Sequence, residues 1–298
     1  MHAHCHSALP RLLLALALLG SYLAVQAPPG RAQPVLTVTT TIGLFADFAR
    51  QVGGSRVEVL QLLGDGVDPH GYQMTPGDLV NINRSQVLLY NGLGFEPFLS
   101  QVLQAVAPAV TRVALAEGLP TLTVDSVPDP HLWLDPQLAQ RYVERIRDVL
   151  SAQDPEGAEE YRANAERYLA ELQALDQEIA ALVAQIPPEQ RKLLTTHNAF
   201  AYFARRYGFE VIGAVLSAEA HEPSPSELIA LIRQARSAGV RALFVEPQFD
   251  TRQAAQLVEQ ANLRVVPLYS DALPPDGSIQ GYIAMMRANA TNIVSALR

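Results

Sequence analysis

Past residue 27 the chain carries four histidines, His70, His131, His197 and His221, and its single cysteine, Cys5, lies before that point. His70 stands in VDPHGY and His131 in PDPHLWLDP, each after an Asp-Pro pair that fixes a tight approach and puts a carboxylate nearby. His197 directly follows the strand-like KLLTT. All three therefore fall at turns after predicted strands, which is where parallel αβ sheets gather their ligands. A lone histidine is ordinarily structural. Three that converge without a thiolate suit zinc or another first-row divalent metal. They lie far apart in the chain, unlike the ligands of a zinc finger or an HExxH helix, so separate loops must bring them together. Asp271 in LYSDAL, after the strand-like Arg264–Pro267, is a fourth candidate, with a turn or cap role as its plain alternative. His221 in AEAHEPSPSEL precedes a Ser-Pro helix start and reads as a solvent-facing loop histidine rather than a ligand.

The elements that must position these residues alternate along the chain. Val35–Thr39, Val57–Leu62, Val87–Tyr90 and Arg112–Ala116 read as strands, with helical patterns at Phe45–Val52, Pro76–Asn83 and Phe95–Val106 between them. The turn-rich DSVPDPHLWLD leads to a helix from Pro136 with Asp135 as its cap. The second half repeats the alternation. Strands are expected at Lys192–Thr195, Glu210–Leu216, Val240–Val245 and Arg264–Pro267, and helices at Ala199–Tyr207, Pro225–Ala238, Thr251–Ala261 and Ile279–Leu297. Such alternation predicts two parallel sheets with βα crossovers.

Between the halves, Asp154 to Ile186 reads as one long helix. Apolar residues recur in steps of three and four at Tyr161, Ala165, Tyr168, Leu169, Leu172, Leu175, Ile179, Leu182, Val183 and Ile186. Asp154 suits the N-cap, Pro155 the first helical position, and Pro187-Pro188 the stop. A rod of ~48 Å fits a spine joining two lobes. A coiled-coil segment is the alternative, but heptad register is not sustained. The halves also share a motif: TTIGLFADFARQVG at 40–53 and TTHNAFAYFARRYG at 195–208 agree in TT, FA and FAR. His197 of the second copy faces Ile42 of the first.

The expected organisation is a signal peptide over 1–27, an N-terminal αβ lobe over 28–136, a helical connection over 137–186 and a C-terminal αβ lobe over 187–298. Arg11, the apolar run Leu12–Leu19 and small residues at Val25 and Ala27 mark the signal peptide, with cleavage after Ala27. No cysteine stands at that cleavage site, which argues against a lipid anchor. A net charge of -8 without a basic stripe makes nucleic acid a poor partner.

Beyond these patterns, DPHGYQMTPGDL, NGLGFEPFL, DPHLWLDP, TTHNAFAYFARRYGFEVIG, EPSPSELIALI, FVEPQF and LYSDAL together resemble the periplasmic metal-binding proteins of zinc and manganese ABC transporters. The resemblance spans essentially the whole chain after the signal peptide. It implies two αβ lobes joined by a long helix, one metal between them, and His70, His131, His197 and Asp271 as its ligands. It further implies a non-enzymatic, monomeric periplasmic carrier that passes Zn²⁺, or alternatively Mn²⁺, to a membrane permease. Histidine at the third position is similar to zinc-type members, whereas the histidine-rich insertion many of them carry is missing. Asp68, Asp129 and Asp135 are candidates to accept the imidazole N–H groups left over. A zinc hydrolase is the rival from another class. It would need an open fourth position and a nearby base, and neither HExxH nor a nucleophile elbow is present.

Overall fold

The structure is a computed structural model that describes residues 1–2 and 36–298, apart from 125, 218–219 and 250–251, and apart from the side chains of 101, 252 and 253. The expected signal peptide lies outside the described residues, save for the first two.

Each half begins with a largely buried strand that feeds a helix. In the first, β1 (Leu36–Thr40) leads to α1 (Gly43–Gly53), β2 (Val57–Gln61), α2 (Pro76–Arg84), β3 (Val87–Tyr90), α3 (Pro97–Val102) and β4 (Thr111–Ala114). The strands are parallel, in the order β2-β1-β3-β4. A two-residue antiparallel ladder, β5 (Thr123–Val124) with β6 (Val127–Pro128), then carries the chain towards α4 (Pro136–Gln153). Asp135 caps α4 by accepting the Gln137 N–H at 2.9 Å, as its place before Pro136 predicts.

After α5 (Ala158–Val183), the second half runs β7 (Lys192–His197), α6 (Ala201–Tyr207), β8 (Glu210–Leu216), α7 (Pro225–Ser237), β9 (Ala242–Val245), α8 (Arg252–Ala261), β10 (Arg264–Pro267) and α9 (Gly281–Leu297). Its parallel sheet has the order β8-β7-β9-β10. This is the order of the first sheet, strand for strand, and it matches the motif shared by β1–α1 and β7–α6. The likeness extends to the helix starts. Thr75-Pro76 with Asp78 and Ser224-Pro225 with Glu227 both form capping boxes at the helix after the second strand of each sheet.

The expected spine is present with a different start. Asp154 closes α4, and its carboxylate accepts the Gly157 N–H of a 3₁₀ turn (Pro155–Gly157) from which α5 continues. The helix therefore spans 26 residues, ~39 Å rather than ~48 Å. Tyr161, Ala165, Tyr168, Leu172, Leu175, Ile179 and Val183 form its buried face, as the periodicity predicts. Leu169 and Leu182 are only partly buried. Asp176 is buried among the apolar residues because Arg206 and Tyr207 pair with its carboxylate. The helix packs on α1 and α4 from one half and on α9 from the other, so Phe45, Phe48, Tyr142, Tyr168, Leu172, Tyr282 and Met285 share one core. The helix expected over Phe95–Val106 shortens to α3. Pro97 must occupy a first-turn position, and Glu96 before it holds a non-helical backbone while its side chain turns back on the preceding loop.

Candidate metal centre

The sheet order places a topological switch point between β1 and β3 in one half and between β7 and β9 in the other. Side chains at the C-terminal ends of these strands, and in the loops beyond, meet between the two sheets. His197 ends β7 itself. His70 lies in the loop between β2 and α2, His131 in the stretch between β6 and α4, and Asp271 between β10 and α9.

These four residues come together. Each offers one ligand atom, and the atoms lie within 4.8 Å of one another. His70 Nε2 is 3.4 Å from Asp271 Oδ2, His131 Nε2 is 3.7 Å from Asp271 Oδ1, and His197 Nδ1 is 3.8 Å from Asp271 Oδ2. A tetrahedron with bonds of ~2.0 Å has edges of ~3.3 Å, so small adjustments would seat a zinc-sized ion. His131, His197 and Asp271 are 0% exposed, and the His70 side chain is 4% exposed. His70 Nε2, His131 Nε2 and both Asp271 carboxylate oxygens are buried without a hydrogen-bond partner. Buried polar atoms are rarely left so, because each forfeits its interaction with water and gains nothing in return. A cation between them removes the penalty for all four atoms at once.

Electrostatics point the same way. Burial alone would raise the Asp271 carboxyl, but the facing His131, His197 and His70 outweigh it and hold the group well below the usual carboxylate range. The carboxylate is thus kept anionic where it meets the imidazoles. Aromatic rings wall the cluster. Phe95 stands edge-on to His70 at 5.3 Å and to His131 at 5.9 Å, Trp133 lies 5.4 Å from His131, and Phe249 lies 5.0 Å from His197.

The supporting aspartates divide differently from the expectation. Asp129 Oδ1 accepts from the His131 ring Nδ1 at 2.7 Å and from its backbone N–H at 3.0 Å, which leaves Nε2 as the free donor atom. Asp68 instead accepts the backbone N–H groups of His70 and Gly71, at 2.8 and 3.2 Å, and so shapes the turn rather than gripping the ring. Asp135 is taken up by its capping bond and faces Arg205 and Arg206. Sequence reasoning missed Glu246. It is 0% exposed and lies against His197, and its place directly after β9 at the switch point was the available signal.

His221 stands outside the cluster. It is exposed and lines, with His70, Tyr90, Glu96 and Leu99, a cavity of about 610 Å³ beside the site.

Comparison with known proteins accords with this geometry. The family model described as zinc-uptake complex component A, periplasmic (ZnuA), matches residues 38–296. The zinc-binding protein TroA of Treponema pallidum is 33% identical, over 87% of this chain and 88% of its own length. The manganese-binding lipoprotein MntA of Bacillus subtilis is 34% identical, over 90% of this chain and 91% of its own. The solved structure of the periplasmic zinc-binding protein TroA superposes with a TM-score of 0.84 at 30% identity, covering 88% of this chain and 99% of that one. With the match to its model running across nearly the whole described chain, the protein belongs to the ZnuA family.

Proposed function

We propose that this chain captures one zinc ion with His70, His131, His197 and Asp271 and delivers it to the permease of an ABC transporter. At the coarser level the chain is a metal-binding substrate-binding protein of an ABC transporter, not an enzyme. The observation that carries the finer reading is the buried cluster of three imidazoles and one carboxylate, in which His70 Nε2, His131 Nε2 and both Asp271 oxygens have no hydrogen-bond partner. Four donors fill a tetrahedral zinc site and leave no position for an activated water. Three nitrogens to one carboxylate also suit zinc better than manganese, which favours oxygen. The manganese reading rests on the MntA relatives.

In this reading the lobes divide near residues 136 and 187, with His70 and His131 on one side and His197 and Asp271 on the other. The protein works as a monomer outside the cytoplasm. Among the described residues no helix is long and apolar enough to cross a membrane. The test is metal analysis of protein purified without a histidine tag, followed by competition between zinc and manganese. Zinc retained against excess manganese supports the reading. Manganese displacing zinc would replace it with the alternative.

A further inference from the structure

The mechanism so far leaves one buried carboxylate unused. Glu246 follows β9 directly, on the other side of the switch point from His197 at the end of β7. Its Oε1 accepts the His197 backbone N–H at 3.2 Å, and its Oε2 lies 3.3 Å from His197 Nδ1. The same Oε2 accepts the hydroxyl of Ser270, the residue before Asp271, and is approached by Gln248 Nε2 at 3.5 Å. Gln248 also reaches the Ser270 hydroxyl at 3.3 Å. One side chain thus holds the ring of one candidate ligand and the backbone neighbour of another.

We propose that Glu246 is a positioning residue that joins His197 and Asp271 into a preformed half-site and thereby sets the preference for zinc. The proposal rests on the zinc-capture reading and deepens it. Glu246 fixes the His197 backbone through its N–H and lies beside ring Nδ1, the ring nitrogen that also stands 3.8 Å from Asp271 Oδ2, so it sets where the imidazole meets the carboxylate. The Ser270 bond fixes the loop from which the Asp271 carboxylate projects. With both groups held, the site offers a rigid four-donor set, which tetrahedral zinc accepts and manganese, which takes more oxygen ligands, does not. Asp129 does the same for His131 in the first half, whereas Asp68 holds only the backbone of His70. A loss of grip at Glu246 therefore frees two of the four donors.

Glu246→Gln keeps the volume but offers one acceptor oxygen and an amide N–H₂, which cannot meet the backbone N–H and the Ser270 hydroxyl together. Zinc and manganese titrations of the parent and this variant should show zinc affinity falling about 10- to 100-fold. Manganese affinity should change far less, so the zinc-to-manganese ratio collapses. The absorption spectrum of the cobalt(II)-loaded parent should be the intense one of a tetrahedral site, and the variant should lose intensity as the coordination number rises. Ser270→Ala, which removes one hydrogen bond and is safe for folding, should move both readouts in the same direction by a smaller amount. Parent-like zinc affinity and cobalt spectrum in both variants would overturn the proposal. A proportional loss of both metals, with a lower melting temperature of the metal-free protein, would overturn it too, since a purely structural residue gives that result. If the parent itself prefers manganese, the zinc reading fails on the parent alone, and the change in ratio still decides the role of Glu246.

Discussion

The indole N–H of Trp133 donates to the backbone carbonyl of Ser270 at 2.9 Å, both groups being buried. Trp133 lies two residues beyond His131, and Ser270 immediately precedes Asp271. The carbonyl of Trp133 in turn accepts the Tyr282 hydroxyl of α9 at 2.6 Å. The loops that carry His131 and Asp271 are therefore tied to each other without a metal, and motion between those two donors should be small. Trp133→Phe keeps most of the ring packing and strands the Ser270 carbonyl. It should cost ~1–3 kcal/mol, read by denaturant unfolding of the metal-free protein followed by circular dichroism. Zinc affinity should fall with it. An unchanged unfolding midpoint would show that the tie contributes nothing.

Leu172 sits in the middle of the buried face of α5, between elements of both halves. Leu172→Ala should destabilise the protein by ~2–5 kcal/mol through lost burial and the cavity left behind. Protein that remains folded should bind one metal with near-parental affinity, because no cluster residue lies on α5. Full stability in this variant would mean that the face is not packed as described.

Burial pushes the Glu96 carboxyl up to about 7, against the lowering effect of hydrogen bonds from the Asn91 N–H, the Thr41 hydroxyl and the Gly92 N–H. A raised carboxyl binds its proton more tightly in the folded chain than in the unfolded one. Its contribution is complete below the ordinary value of ~4.3 and is lost as pH rises through about 7. Metal-free parent protein should therefore lose stability across that window relative to Glu96→Gln, by an amount on the order of 3 kcal/mol. Unfolding curves of the two proteins that stay parallel from pH 4.5 to 7.5 would contradict this.

How far the sequence reveals the molecule varies with the range of the interaction involved. The strand–helix alternation and the α5 stripe were legible because period and caps are local, and Pro76, Pro136 and Gly208 mark boundaries by backbone geometry alone. Gly208 adopts φ 73 at the end of α6, where a side chain would be strained. The start of α5 was misplaced because Asp154 caps a 3₁₀ turn, and a sequence pattern does not distinguish that from the first turn of an α-helix. His70, His131, His197 and Asp271 stood out by residue type and by position after strands. The roles of Asp68 and Glu246 were not legible. Whether a carboxylate reaches a backbone N–H or an imidazole depends on a few ångströms of loop path, and Glu246 meets His197 only across the sheet.

Acid should release the metal through the imidazoles. The Asp271 carboxyl, held low by the facing histidines despite its burial, stays ionised as pH falls. An ordinary imidazole takes a proton near ~6.5. Zinc affinity should therefore decline progressively below about pH 6.5, with proton uptake accompanying release. Calorimetry in buffers of different ionisation enthalpy reads that proton count directly. Affinity that is flat from pH 7.5 to 5.5 would mean that the histidines do not bind the metal.

The most direct measurement is zinc titration calorimetry at neutral pH on the parent, His197→Ala and His221→Ala. His197 belongs to the buried cluster, whereas His221 is exposed on the wall of the neighbouring cavity. The parent should bind one zinc ion per chain. His221→Ala should match it, and His197→Ala should bind far more weakly, because water must fill the missing position. If His221→Ala abolishes binding while His197→Ala does not, or if the parent binds no zinc tightly, the four-residue site is not where this protein carries its metal.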